Sequence, residues 1–150
     1  MLPGVAEPRE GLTVLSQQEL SDRFEIQELI ARYSQLLDLR AWDELDVLFT
    51  DDCLLDYTAT GAIKGSWAEH KAYDQAVLLS FKGTQHVMGL PTIVVHGQTA
   101  TARTICFNPM VVDDKRVFFV GLWYDDTLVR TPTGWRFASR TEQLSYFHNV

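Results

Sequence analysis

The chain has little of the chemistry that announces a function outright. Among its 150 residues only two are cysteines, Cys53 and Cys106, in no CxxC arrangement and with no histidine at metal-ligand spacing. Two isolated cysteines without a secretory context predict reduced, buried thiols rather than a disulfide. The four histidines, His70, His86, His96 and His148, form no HxxxH or HxH pair. There is no Walker loop and no GxGxxG stretch, so the sequence calls for no metal, nucleotide or redox cofactor. Basic charge is scarce as well: 13 Lys and Arg stand against 20 Asp and Glu, a formal net charge of -7. The basic residues are scattered, which excludes nonspecific affinity for nucleic acid or for anionic membranes. No run approaches the roughly 18 apolar residues of a membrane span. The opening stretch MLPGVAEPREGLTVLS has no basic segment followed by an apolar one, so no secretion signal and a cytoplasmic location are expected.

What is present is an ordinary globular composition, 46% hydrophobic and 22% charged, in a chain long enough to bury one core. Residues 1–15 carry Pro3, Gly4, Pro8 and Gly11 and read as an irregular arm ahead of one domain over residues 16–150. Ser16 followed by Glu19 has the spacing of a helix N-cap. Ile26, Ile30, Tyr33 and Leu37 then recur at helical intervals, which places Tyr33 on a buried face. A short helix fits AWDELDVLF, with Trp42, Leu45 and Phe49 on one side, and Ser66 opens a third helix. From Thr84 the period changes to two. Long strands are separated by turn signals at Gly97, Asp113–Asp114 and Pro132–Gly134. Helices gathered at the front and antiparallel strands behind predict an α+β domain whose sheet wraps the helices and leaves a pocket between them.

Several polar residues fall on faces that otherwise look like core. His86 shares a strand face with Met88 and Leu90, where it is either a core histidine bonded to a backbone carbonyl or a proton-transfer group titrating near neutrality. Asp38 ends the first helix, where its charge opposes the helix dipole, so it needs a partner. It could cap the following helix, pair with Arg40, or meet an imidazole across the pocket. Tyr57 alternates with Cys53 and Leu55, and Asn108 with Ala102, Thr104 and Cys106, so both point inward, as packing groups or as pocket lining. Arg103, Ile105 and Phe107 take the opposite side. Period two assigns Arg140 and Glu142 to the surface or an interface, and Asp125 and Asp126 to solvent or to arginine partners.

In their order, the segments IQELIARYSQLLDLRAWDELDVLFTDDCLLDY, TQHVMG, GQTATARTICF and YDDTLVRTPTGWRFASR resemble the SnoaL-like branch of the nuclear transport factor 2-like superfamily. The likeness spans residues 16 to 145, with scytalone dehydratase and the bile-acid 7α-dehydratases as the nearest functional kin. It implies a cystatin-like α+β cone, a curved antiparallel sheet closed by the N-terminal helices. It also implies a pocket holding a helix tyrosine, an aspartate shortly after it, a strand tyrosine and a strand histidine. Residue by residue these are Tyr33, Asp38, Tyr57 and His86. Tyr33, Asp38 and His86 are the expected catalytic group; Tyr57, Asn108, Trp42 and Met88 are the expected substrate contacts. The activity so implied is cofactor-independent dehydration or double-bond isomerisation of a small, cyclic, hydrophobic carbonyl compound, steroid- or polyketide-like, by a trimeric or dimeric homo-oligomer.

Two further readings stand beside it. The same cone serves as a non-catalytic assembly subunit, like the small subunit of ring-hydroxylating dioxygenases. It also carries epoxide hydrolases, whose Asp–Arg–Asp arrangement does not assemble from this sequence.

Overall fold

The Ser16 hydroxyl accepts the Glu19 backbone N–H at 3.1 Å and starts α1 (Gln17–Asp38). This satisfies one of the four N–H groups that a helix start leaves without a partner. The computed structural model describes residues 14–149, so most of the expected N-terminal arm lies outside the described residues. Ile26, Leu29, Ile30, Tyr33 and Leu37 form the buried stripe of α1, as their spacing predicts. At its N-terminal end Asp22 is held by Arg130 and by the Trp135 indole N–H, which pins the helix to the sheet.

The C-terminus of α1 determines where Asp38 sits. Arg40 N–H bonds Leu37 C=O at 3.1 Å and Ala41 N–H bonds Leu36 C=O at 2.9 Å, the bond pair of a Schellman stop. Arg40 holds φ 59°, a position that glycine usually fills because a side chain there costs about 1 kcal/mol or more. Its guanidinium reaches back to Leu37 C=O and to the Thr84 hydroxyl, tying the strained corner to the sheet.

After this corner come α2 (Trp42–Leu45), a 3-10 turn, β1 (Phe49–Asp56), β2 (Lys64–Ser66) and α3 (Trp67–Val77). Ser66 and Glu69 close a reciprocal capping box on α3. The strands β3 (Gly83–Thr84), β4 (Val87–Met88), β5 (Thr92–His96), β6 (Thr99–Val111), β7 (Val117–Thr131) and β8 (Gly134–Asn149) follow. The main strand order is β2-β1-β8-β7-β6, and β3, β4 and β5 each pair with the free side of β6. All pairs are antiparallel except β1 with β8, which are parallel, so the sheet is mixed where antiparallel pairing alone was expected.

Two register shifts between β7 and β8, at Gly121/Leu122 and Thr127/Leu128, bend the sheet. The result is a curled half-barrel closed by the helices. Cys53 and Cys106 are buried free thiols, as their context predicts. No helix among the described residues is long and apolar enough to cross a membrane.

Candidate active site

His86 lies in the gap between β3 and β4, so its backbone N–H is not spent on the sheet. That N–H donates to Asp38 Oδ2 at 2.8 Å, and the ring Nδ1 lies 2.7 Å from Oδ1 of the same carboxylate. The Thr84 hydroxyl adds a third donor to Asp38, at 3.0 Å. Burial alone would raise the Asp38 carboxyl, but the His86 and Thr84 donors outweigh it and hold the group below its ordinary value. An ionised carboxylate only accepts, so His86 Nδ1 carries a hydrogen, and in the neutral ring the lone pair is then on Nε2.

On the other side of the ring, Asn108 Nδ2 lies 3.0 Å from Nε2. Asn108 comes from the regular part of β6, paired with Val120, and is 6% exposed. Its amide oxygen is buried with no hydrogen-bond partner. Asp38, His86 and Asn108 thus form one hydrogen-bonded chain, while Tyr33, expected with Asp38 and His86, bonds Tyr57 instead.

The Tyr33 and Tyr57 hydroxyls lie 3.2 Å apart. The Tyr33 ring is fixed edge-on by Phe49, Tyr124 and Phe137, with centroids 6.0–6.1 Å away. Burial pushes both phenols well above their ordinary value, so both remain hydroxyl donors at neutral pH. His70, on α3, packs edge-on against Tyr57 and bonds the Leu55 carbonyl through Nε2 at 3.2 Å. The structural role weighed for His86, a core imidazole on a backbone carbonyl, is thus filled by His70.

Tyr33, Tyr57, His86 and Asn108 all line one cavity of about 180 Å³. Its remaining wall is mostly apolar and aromatic, including Phe81, Leu122, Tyr124 and Phe147. Trp42 and Met88 pack against the core and are not among the cavity-lining residues.

Two acidic lining residues were missed, one on a strand and one on a helix. Glu142 is buried rather than on the surface, and Asp74 projects from α3 into the same cavity. Burial pushes both carboxyls up to about 7. Arg140 is likewise fully buried, in a two-bond ion pair with Asp126 at 2.6 and 2.8 Å. Its guanidinium stacks over Tyr33, Tyr124 and Phe137 at 4.2–4.3 Å. The shift at Thr127/Leu128 explains the Arg140 and Glu142 corrections, because Thr127 pairs with Ser139 and Leu128 with Phe137, leaving Ala138 extra. One extra residue moves everything after it to the opposite face. Arg103 does face outward, paired with Asp125.

A family model described as "SnoaL-like domain" matches residues 18–141. An uncharacterized protein from Mycobacterium tuberculosis is 47% identical over 132 residues, covering 87% of this chain and 90% of that protein. Among solved structures, a nuclear transport factor 2-like protein with a cystatin-like fold from Novosphingobium aromaticivorans is 31% identical. It covers 85% of this chain and 84% of that one, with a TM-score of 0.71. A protein from the same organism provisionally named a scytalone dehydratase is 22% identical with a TM-score of 0.80, covering 89% and 91% of the two chains.

Proposed function

The chain belongs to the SnoaL-like domain family, and from that premise we propose that it is a cofactor-independent dehydratase acting on a small cyclic ketone. The observation that carries this reading is the Asp38–His86–Asn108 chain in the wall of a cavity that also presents two tyrosine hydroxyls. A neutral imidazole with its proton anchored on Nδ1 offers Nε2 as a base once substrate displaces the Asn108 N–H from it. Nε2 takes the proton from the carbon beside the carbonyl, and the C–H electrons move onto the carbonyl oxygen. Tyr33 and Tyr57 donate to that oxygen as it becomes negative, and one such oriented donor is worth about 3 kcal/mol in the transition state. The enolate then expels the β-hydroxyl, which leaves as water with the proton returned from Nε2. The unpartnered Asn108 oxygen supplies an acceptor for the hydrogen of that hydroxyl before it leaves. Omitting the last step and returning the proton to another carbon gives double-bond isomerisation from the same groups.

The cavity limits the substrate. About 180 Å³ lies below the ~300–1,000 Å³ of sites that enclose drug-sized ligands, which favours one or two rings over a steroid. Apolar side chains on the outer sheet face, Ile105 and Phe107 among them, support self-association.

The test needs only a model ketone. Wild-type protein should accelerate deuterium uptake at the α-carbon of 1-tetralone, followed by NMR. His86→Asn keeps a donor for Asp38 near the Nδ1 position while deleting Nε2, and should abolish that acceleration with little change in melting temperature. Undiminished exchange in His86→Asn would remove His86 from the mechanism.

A further inference from the structure

The cavity that His86 lines also holds a carboxyl for which the mechanism above has no use. Glu142 is 6% exposed and accepts a hydrogen bond from the Thr60 hydroxyl at 2.5 Å. It lies in register with Tyr124 on the neighbouring strand and lines the cavity together with Tyr33 and Tyr57. Among the described residues no Lys, Arg or His forms an ion pair with it. Arg140, two residues away on β8, is paired with Asp126; its charge and the Thr60 and Tyr124 hydroxyls pull Glu142 down, but burial outweighs them.

The groups facing Glu142 are otherwise neutral or acidic. They are Tyr33 from α1, Tyr57 following β1, Cys106 from β6, Tyr124 from β7 and Asp74 from α3. Asp74 raises Glu142 further, since two carboxyls facing one apolar cavity resist ionising together.

We propose that Glu142, in its uncharged acid form, is a third donor at the tyrosine end of the cavity. On this view the site selects an uncharged, oxygen-bearing ring compound and rejects carboxylates. The proposal rests on the reading of this cavity as the substrate site. A protonated carboxyl donates one strong hydrogen bond to a carbonyl or hydroxyl oxygen. Once ionised it repels that oxygen, and a ligand carboxylate meets two acids with no free cation between them. Burial lifts Glu142 and Asp74 to about 7, so the donor form is well populated at neutral pH.

The experiment measures binding of two probes, 1-tetralone and 1-naphthoate, by titration calorimetry on wild type, Glu142→Gln, Asp74→Asn and His86→Asn. With a single protonated donor form, ketone affinity should fall about thirtyfold from about pH 5.5 to about pH 8.5. In Glu142→Gln, whose amide still donates but does not titrate there, most of that fall should disappear. In His86→Asn it should remain. Naphthoate should bind at least about tenfold more weakly than the ketone throughout.

A ketone that binds no more tightly than naphthoate overturns the proposal. So does a pH dependence that survives Glu142→Gln or vanishes only in Asp74→Asn. A second readout needs no ligand: carbon-13 NMR of side-chain-labelled glutamate should show one carboxyl titrating near neutrality and missing from Glu142→Gln. Titration of that carboxyl in the ordinary acidic range would also overturn it. Failure of the dehydratase reading looks different, as α-proton exchange indifferent to His86, and leaves these binding profiles standing.

Discussion

Replacing Asp38 by asparagine isolates what the carboxylate does, because shape is kept and one acceptor becomes a donor. Asp38 receives three hydrogens, from His86 Nδ1 at 2.7 Å, His86 N at 2.8 Å and the Thr84 hydroxyl at 3.0 Å. An amide has one oxygen, so whichever way it turns, an NH2 faces at least one former donor. If the oxygen keeps the His86 backbone N–H, the NH2 points at Nδ1. The ring then moves its proton to Nε2, and the Asn108 amide turns its oxygen to receive it.

Each hydrogen bond to a charged acceptor contributes about 1.5–3 kcal/mol, and the Asp38 side chain is 23% exposed, so partial solvation offsets part of the loss. The expected cost is about 1–3 kcal/mol in stability, read by urea unfolding. The catalytic effect is larger, since the base no longer presents a lone pair. The corresponding Asp→Asn change in a Ser-His-Asp triad costs ~10⁴ in rate, and a loss between about 10² and 10⁴ is expected here. Long-range nitrogen-15 NMR of the His86 ring reads the tautomer directly. A ring still protonated on Nδ1 in Asp38→Asn, or exchange reduced less than about tenfold, would refute the reasoning.

Two stability predictions test the buried charges. Arg140→Met strands Asp126 in the core and should cost about 3–5 kcal/mol, with much of the loss recovered when Asp126→Leu is added; chemical denaturation of the three variants is the check. Glu142 titrates at about 7 in the fold against an ordinary 4.5, so its contribution to stability is fully present below about pH 4.5 and is lost as pH rises through about 7. That loss is roughly 3 kcal/mol, and Glu142→Gln should unfold at higher temperature than wild type near pH 8 while losing its advantage near pH 5.

Much of the site was legible because its elements are locally regular. The α1 stripe from Ile26 to Leu37 keeps the helical period, so Tyr33 had to face the core. Strand β6 keeps its pairing with β7 from Thr99 to Val111 without a shift, so alternation placed Asn108 inward and Arg103 outward. The pairing of Asp38 with His86 was reached differently. An acid at a helix end asks for a partner, and the family resemblance named one 48 residues away that no local rule could supply.

Where alternation failed, a single extra residue was responsible. Arg140 and Glu142 read as surface on an unbroken strand, and the bulge at Ala138 turns them into the core beneath Tyr33 and into the cavity. Asp74 was passed over because nothing on α3 marks one acid among several polar neighbours. The parallel pairing of β1 with β8 was equally hidden, since strand order is a property of the closed sheet.

The sequence alone therefore determined the class of fold, the helix and strand faces ahead of the β8 bulge, the inward direction of Tyr33, Tyr57, His86 and Asn108, and the acidic character that keeps polyanions away. These follow from periodicity and charge, which act over a few residues or over the whole chain. Tertiary structure alone decided that the Asp38 carboxylate meets both the ring and the backbone of His86, and that His70 takes the packing role. It also decided that Glu142 enters the cavity, where among the described residues no cation forms an ion pair with it. Each of these depends on a strand break, a left-handed corner or a bulge that shifts atoms by one residue, and hydrogen bonds and pKa values respond to distances of that size.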